Sequence, residues 1–372
     1  MTIIAGIPME RFRVLLGDVL ISSKGMPERT VTIPTQDDVA ILYPNGAQFR
    51  VSGLRQKICK ISNNLAVSWT GSYIAARTVI NELIEIDNLK PLTLESLLEY
   101  FRNLDQPLHS MGVSFIIMIG DPTTNDARFV GLNSESYNSD LFGKVFYCGS
   151  GMHDFVSILK HFELDFPRIA SERDTIGALD IASFFVSTLL SHDFTDLRSL
   201  HTYYGGGYEL ACFEDGIITK ENNLTYTFWY SKTQDDGTIS ISRPIQIHNY
   251  TYLDDVLAVR SIRMDATNSE PILASADLHL IQPVNRTVPD DELNTLLSSY
   301  LKAFFDPSFL SGRFINLFIH LDDNNRPIRY FQLNGLWPDP PLKIVSLQNP
   351  DKFRVRIEGW FVSKIHQLIN GK

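Results

Sequence analysis

Apolar residues in the first 70 positions come in short blocks of period two, broken by glycine, proline and charge, and this spacing predicts strands. "TIIAGI" from Thr2 is the first and "FRVLLGDVLISS" from Phe12 to Ser23 the second. "VAILYPNGAQFRV" reads as two runs hinged on Pro44, Asn45 and Gly46, and "QKICKI" and "LAVSW" form a further pair. After Gly71 the period becomes helical: "SYIAARTVINELIEI" sets Ile74, Val79, Leu83 and Ile86 along one face. "TLESLLEYFRNL" follows as a second helix, with Thr93 as its N-cap and Glu95 supporting the first turn.

Three strands come next, "GVSFIIMIG", "ARFVGLN" and "KVFYC", then helices around Asp154 to His161 and Ile176 to Leu190, then the strands "YELACF", "LTYTFWYSK" and "TISISRPIQI". Strands, two helices, strands, two helices, strands is the order expected of an α+β domain in which two antiparallel sheets pack face to face between helix pairs, a four-layer αββα sandwich. From about Leu253 a separate cycle begins: a strand at "ILASADLHLIQPV", a helix at "DDELNTLLSSYLKAFF", a hairpin turning at Asp323 to Asn325, and a terminal "FRVRIEGWFVSKIHQLI". The expected organisation is a domain over 1–250, with an inserted hairpin at 24–53, followed by a smaller α+β domain over 251–372.

Composition narrows the function. Hydrophobic residues at 44% and charged residues at 20% are those of a folded chain. Acidic residues outnumber basic ones 43 to 33, for a formal charge of −10, and no basic block interrupts the excess. Nucleic acid and anionic membrane surfaces are therefore not expected partners. Cys59, Cys148 and Cys212 are widely spaced and form no C-x-x-C pair, which predicts reduced core cysteines in a cytoplasmic protein. No run has the length of a membrane span, and the segment around Glu10 and Arg11 lacks the apolar core of a signal peptide. The sequons at Asn223, Asn249 and Asn285 are then chance matches.

Several chemistries drop out on spacing. The nine histidines include no H-e-x-x-H pair, so neither a metal nor any other cofactor is expected. "LDDNN" lacks the glycine and glutamate of a calcium loop and fits a hairpin turn. Gly205, Gly206 and Gly207 are not followed by Lys-Ser or Lys-Thr, so a turn explains them better than a phosphate loop. Ser150, in "CGSGM", misses the nucleophile-elbow spacing by one position.

Other residues resist a bland reading. Asp18 interrupts the apolar strand "VLLGDVLI", where a carboxylate needs a cation or a turn. Lys57 opens the strand "KICKI", and Gly71 sits at a strand-to-helix junction. Thr2 is either the first residue of a strand or, once Met1 is removed, a nucleophile carrying its own base.

Thr2, Asp18 preceded by Gly17, Lys57, and Gly71 fourteen positions beyond it resemble, in order and spacing, the proteasome β-subunit family, above all its bacterial proteasome-like peptidases. The resemblance covers roughly the first 245 residues, and "YCGSGMHDF" extends it by placing Ser150 at the family's auxiliary serine. It implies an N-terminal-nucleophile hydrolase acting on peptide or amide bonds. Thr2 is nucleophile and base, Lys57 tunes the amine, Asp18 orients Lys57, and Gly71 donates its amide to the oxyanion. Trp69 and Tyr73 line the substrate pocket. The α-amine, with a reference pKa of about 7.7 to 8.0, is nearly matched to a general base's task. Peptide or protein substrates, self-association into a ring and a possible unfoldase partner come with the resemblance. The chain departs from the pattern at Thr202 and Gly205, which stand for the family's aspartate and serine, at Trp69, which fills pocket volume, and in its extra C-terminal domain. A catalytically silent scaffold and a peptide ligase are accordingly the alternative expectations.

Overall fold

The computed structural model describes residues 2–9, 12–25, 31–36, 39, 42–43, 47–104, 106–121, 123–172, 177–264, 272–303, 312–336, 341–346 and 353–370. The expected turn at Pro44 to Gly46 lies outside them.

Period-two segments become strands wherever one face finds an apolar partner. In chain order they are β1 (Ile3–Met9), β2 (Phe12–Asp18), β3 (Leu20–Lys24), β4 (Phe49–Leu54), β5 (Ile58–Lys60) and β6 (Leu65–Gly71), followed by α1 (Tyr73–Leu89), α2 (Leu94–Arg102) and α3 (Leu108–Met111). β7 (Val113–Asp121), β8 (Asp126–Leu132), β9 (Glu135–Ser139) and β10 (Gly143–Gly149) come next, then α4 (Met152–Glu172), α5 (Ala178–Thr195) and α6 (Arg198–His201), then β11 (Tyr208–Glu214) and β12 (Ile217–Lys220). The remainder holds β13 (Leu224–Thr233), β14 (Ile239–Leu253), β15 (Val256–Met264), β16 (Ile272–Ile281), α7 (Asp290–Ala303), β17 (Arg313–Leu321), β18 (Pro327–Leu336), β19 (Leu342–Ser346), β20 (Phe353–Ile357) and α8 (Gly359–Asn370).

The chain divides into two units, one formed by residues 1–221 with 281–287 and the other by 222–280 with 288–372. This differs from the boundary expected near residue 250. β13 pairs with β14 antiparallel and with β17 in parallel, so "LTYTFWYSK" belongs to the second sheet system rather than closing the first.

The first unit carries a six-stranded sheet in the order β12-β11-β2-β1-β10-β9 and a four-stranded sheet in the order β5-β6-β7-β8. One apolar cluster joins them: Ile4, Leu15, Ala211 and Phe213 from the larger sheet meet Ile58, Ala66, Ile116 and Met118 from the smaller. On its other face the smaller sheet buries Val67, Trp69, Phe115 and Ile117 with Val79, Leu83 and Leu97 of α1 and α2. α4 lies against β10, and α5 against β2 and β11. The α1 stripe is Ala76, Val79, Ile80 and Leu83; Ile74, expected on it, is 77% exposed because the helical turn per residue sets it on nearly the opposite side. α2 begins as its sequence predicts, with Thr93 and Ser96 exchanging capping bonds.

The second strand, expected to run unbroken to Ser23, splits at Val19, whose N–H donates to Gly207 O while its own carbonyl accepts from Arg55 N–H. β3 then leaves the sheet to pair with β4, which forms the base of the inserted segment. The second unit is one eight-stranded sheet, β18-β17-β13-β14-β15-β16-β20-β19, with Phe361 and Ile365 of α8 packed on Trp229 and Phe318. Among the described residues no helix is long and apolar enough to cross a membrane.

Candidate active site

Strand pairing fixes Thr2 at the edge of β1: Ile3 lies opposite Gly149 of β10 and Ile4 opposite Gly17 of β2. The Ile3 N–H donates to Asp18 Oδ1 at 3.2 Å. The Thr2 carbonyl accepts from Gly151 N–H at 3.3 Å and from the Ser150 hydroxyl at 3.4 Å. Thr2 itself is fully buried, and its Oγ1 has no hydrogen-bond partner among the described residues. An unsatisfied buried hydroxyl costs about 1 to 3 kcal/mol, so this atom stands at odds with the satisfied backbone around it.

Asp18 and Lys57 are both buried, at 0% and 2% exposure. Burial pushes the Asp18 carboxyl up to about 7, against the opposing pull of the Lys57 charge and of the Gly205 and Ile3 amides. Burial likewise pushes the Lys57 ammonium down to about 8, against the attraction of Asp18 and Glu209. Each charge is therefore tolerated because the other is present. The Lys57 Nζ also stands 4.0 Å from the centre of the Trp69 ring, a cation–π contact made without competing solvent.

Beneath Lys57 lies an ion pair that the sequence reading did not single out. Glu209 of β11, 2% exposed, accepts the Lys57 and Ile58 N–H groups at 2.6 and 3.2 Å and pairs with Lys220 Nζ at 2.6 Å. Lys220 also donates to Gln56 Oε1 and Ile58 O, at 2.7 and 2.8 Å. Gln56 in turn holds the returning segment 281–287: its Nε2 donates to Ile281 O at 2.7 Å and its N–H to Gln282 O at 3.1 Å. Lys57 is thus fixed from its backbone outward by elements distant in sequence.

A third buried carboxylate lies one loop away. Asp193, near the end of α5, accepts from Thr35 Oγ1 at 2.8 Å, from Gly206 N–H at 2.7 Å and from the Ser199 hydroxyl. The preceding amide of that loop, Gly205 N–H, donates to Asp18 Oδ2 at 2.9 Å. Gly205 has φ +110°, and a Cβ there would stand 2.3 Å from Asp193 Oδ1, so no other residue fits. Burial raises the Asp193 carboxyl to about 7.

The structure brings Thr2, Asp18, Lys57 and Ser150 into one region, with Ser150 directed at the Thr2 carbonyl. Gly71 ends β6 opposite Val113, and its φ of +95° with Gly112 O 2.1 Å from a would-be Cβ gives glycine a structural reason to be there. Trp69 is fully buried in the apolar cluster that also takes Val284, and its Nε1 donates to Gln56 O at 3.1 Å. The Tyr73 ring lies 6.0 Å from it, with the Arg55 guanidinium 5.5 Å from the Tyr73 ring centre. Thr202 does not reach the site: its hydroxyl donates to Arg198 O and Ser199 O behind α6. The Gly205 backbone does, through its bond to Asp18.

Glu209 in "YELACF" and Asp193 in "LLSHDF" carry the same sequence signal as Asp18, an acid inside a largely apolar run that needs a partner when buried. No group of three or more His, Cys, Asp or Glu able to hold a metal occurs among the described residues. Neither a protein-family model nor a curated protein matches the chain.

Proposed function

We propose that the first unit is a four-layer αββα N-terminal-nucleophile hydrolase that cleaves peptide or amide bonds from Thr2 once Met1 has been removed. The observation that carries this reading is the Thr2 hydroxyl: buried, without a partner among the described residues, on a strand end whose neighbouring amide is held by Asp18, a buried carboxylate that feels the charge of buried Lys57. A nucleophile is an atom for which such a position has a use. Support for the layering comes from one apolar cluster shared by two antiparallel sheets, with helices against the outer faces.

In this reading the freed α-amine takes the Oγ1 proton, Oγ1 attacks the substrate carbonyl, and the amine then protonates the leaving amine. Water, activated by the same base, releases the acid and restores the threonine. The Lys57 charge keeps the α-amine in its neutral, proton-accepting form, and ionised Asp18 keeps Lys57 charged. Gly71 supplies the amide for the oxyanion, a donor whose loss in acyl-transfer enzymes costs about 3 to 4 kcal/mol. A cytoplasmic location, ring assembly, a peptide or protein substrate and an unfoldase partner belong to the same proposal.

One observation favours a second reading, a silent scaffold of the same fold. Trp69, expected to line the pocket, is fully buried and packs as core. Intact mass after treatment with an electrophile that needs both a threonine hydroxyl and a free α-amine separates the two. A hydrolase loses Met1 and gains one adduct that Thr2→Ala abolishes; retained Met1 or an unmodified mass leaves the scaffold.

A further inference from the structure

We propose that Asp193 is a positioning residue for the Thr2 site, anchoring the glycine loop so that the Gly205 amide stays on Asp18, and that Thr35 of the inserted segment completes its hold. The proposal rests on the Thr2 reading and extends it to a residue that touches neither the nucleophile nor its base.

Three consecutive glycines, with φ of +110°, +73° and +151°, make a loop with no side chains to hold it and with more conformational freedom to lose than any other tripeptide. Something outside the loop has to fix it. Adjacent amides do so on two carboxylates: Gly205 N–H on Asp18 at 2.9 Å and Gly206 N–H on Asp193 at 2.7 Å. One peptide unit separates them, so a displacement at Asp193 is passed to Asp18 with little attenuation. The Gly205 Cα also packs directly on the Asp193 carboxylate.

Asp193 is itself fully buried, and its charge depends on the hydroxyls of Thr35 and Ser199. Thr35 lies in a short turn bridged between Ile33 and Gln36, and the Gln36 Nε2 donates to Asp193 O at 3.0 Å. Ile33 and Tyr43 pack with Leu20 and Leu200, and the Tyr43 hydroxyl donates to Leu200 O at 2.8 Å. The segment inserted between β3 and β4 is therefore wired to the site through one carboxylate. The titratable groups facing Asp193 are Tyr43, Asp196 and Tyr204, and the charges facing Asp18 are Lys57 and the N-terminal amine.

The experiment uses the full chain and two readouts: the rate of N-terminal adduct formation against pH, and the titration of Asp18 followed by carboxyl-carbon NMR. Thr35→Val removes one donor from Asp193 without burying a charge; Thr35→Ser restores it; Asp193→Asn is the stronger variant. Loosening the Gly205 amide raises the pH at which Asp18 ionises, so both midpoints should move up by about half a unit to one unit in Thr35→Val, with labelling at pH 6.5 slowed about three- to tenfold. Thr35→Ser should keep the wild-type midpoints. A folded Thr35→Val protein with unmoved midpoints overturns the proposal, since a residue that merely holds the fold would alter the amount of folded protein and not its titration. If the wild-type protein forms no adduct, the Thr2 reading falls, and the Asp18 carbon then decides the Asp193 link alone: a raised midpoint sustains it and an unmoved one ends it.

Discussion

Two buried polar clusters, one in each unit, look alike on paper and differ in kind. In the first unit Asp18 and Lys57 are charged groups out of water, each shifted toward neutrality by burial and held back by the other, beside a hydroxyl with no partner among the described residues. In the second, Ser261, His248 and Gln246 form a hydrogen-bonded series, Oγ to Nδ1 at 3.1 Å and Nε2 to Oε1 at 2.8 Å, on the paired strands β14 and β15. A serine, a histidine and an acceptor in line suggest a triad. Yet Ser261 and His248 are fully buried, and burial drives the imidazole pKa down to about 3, with the Arg263 charge and His279 adding to the effect. The Phe228 ring closes on the imidazole edge-on at 5.7 Å. Every atom of that series is satisfied and none is ready to take a proton. Hydrogen-bond order alone does not make a site; an unspent atom beside a costly charge is the better sign.

The sharpest break of this comparison comes from the charge itself. Lys57→Met leaves the Asp18 carboxylate buried without its cation and should destabilise the first unit by about 3 kcal/mol or more at pH 8. Asp18→Asn with Lys57→Met removes both charges and should recover most of that loss in denaturant unfolding. A single variant within 1 kcal/mol of wild type, on the order of a surface change, would mean that Asp18 is already protonated and that the two clusters are alike.

pH gives a second, intermediate test, because the balance of shifts differs in sign between the units: in the first, two raised carboxyls outweigh one imidazole, His192, which burial and the Arg198 charge push down to about 4. Burial pushes the Asp18 and Asp193 carboxyls up to about 7 from an ordinary 3.8, so from about pH 4 to 7 the folded first unit binds more protons at these two groups than its unfolded chain, and His192 offsets one of them below about pH 6.5. Its stability should fall as pH rises across that window, by up to about 1.4 kcal/mol per pH unit for each group. His248 and His279 are depressed, to about 3 and about 4 from 6.5, so the unfolded second unit takes up the protons instead. Stability there should rise over roughly pH 4 to 6.5. Above pH 8 the lowered Lys57 reverses the slope of the first unit, up to its unfolded value near 10.5. Thermal unfolding followed by probes in each unit should show midpoints moving in opposite directions between pH 4.5 and 6.5. Parallel movement would remove the distinction.

Much of this was legible along the chain, and for identifiable reasons. Alternation found β1, β2, β6 and β7, and Thr93 announced α2, because these signals are local. Asp18 was legible as an acid whose burial demanded a partner. What stayed hidden depends on pairing between distant segments. "LTYTFWYSK" reads equally well as the last strand of one sheet or the first of another, and its parallel pairing with β17, about 90 residues on, decides the matter. Val19 looks like mid-strand, and only Gly207 O reveals the break. The Gly205 amide carries no side chain for a pattern to register, and only its bond to Asp18 reveals it.

The smallest expected effect is also the one that can reverse the comparison. Ser261→Ala removes one hydrogen bond from a neutral, buried imidazole and leaves its Nδ1 unsatisfied, a loss of about 1 kcal/mol in the second unit. If the series is structural, that is all: N-terminal labelling, and any peptidase activity of the full chain, should be unchanged within error, because nothing in Ser261–His248–Gln246 has to accept a proton. The same assay run on Thr2→Ala should lose both. The opposite pattern, activity surviving Thr2→Ala and lost in Ser261→Ala with folding intact, would move the nucleophile to the second unit. It would then require His248 to gain basicity by opening to solvent, which a titration midpoint rising from about 3 toward 6.5 would register directly.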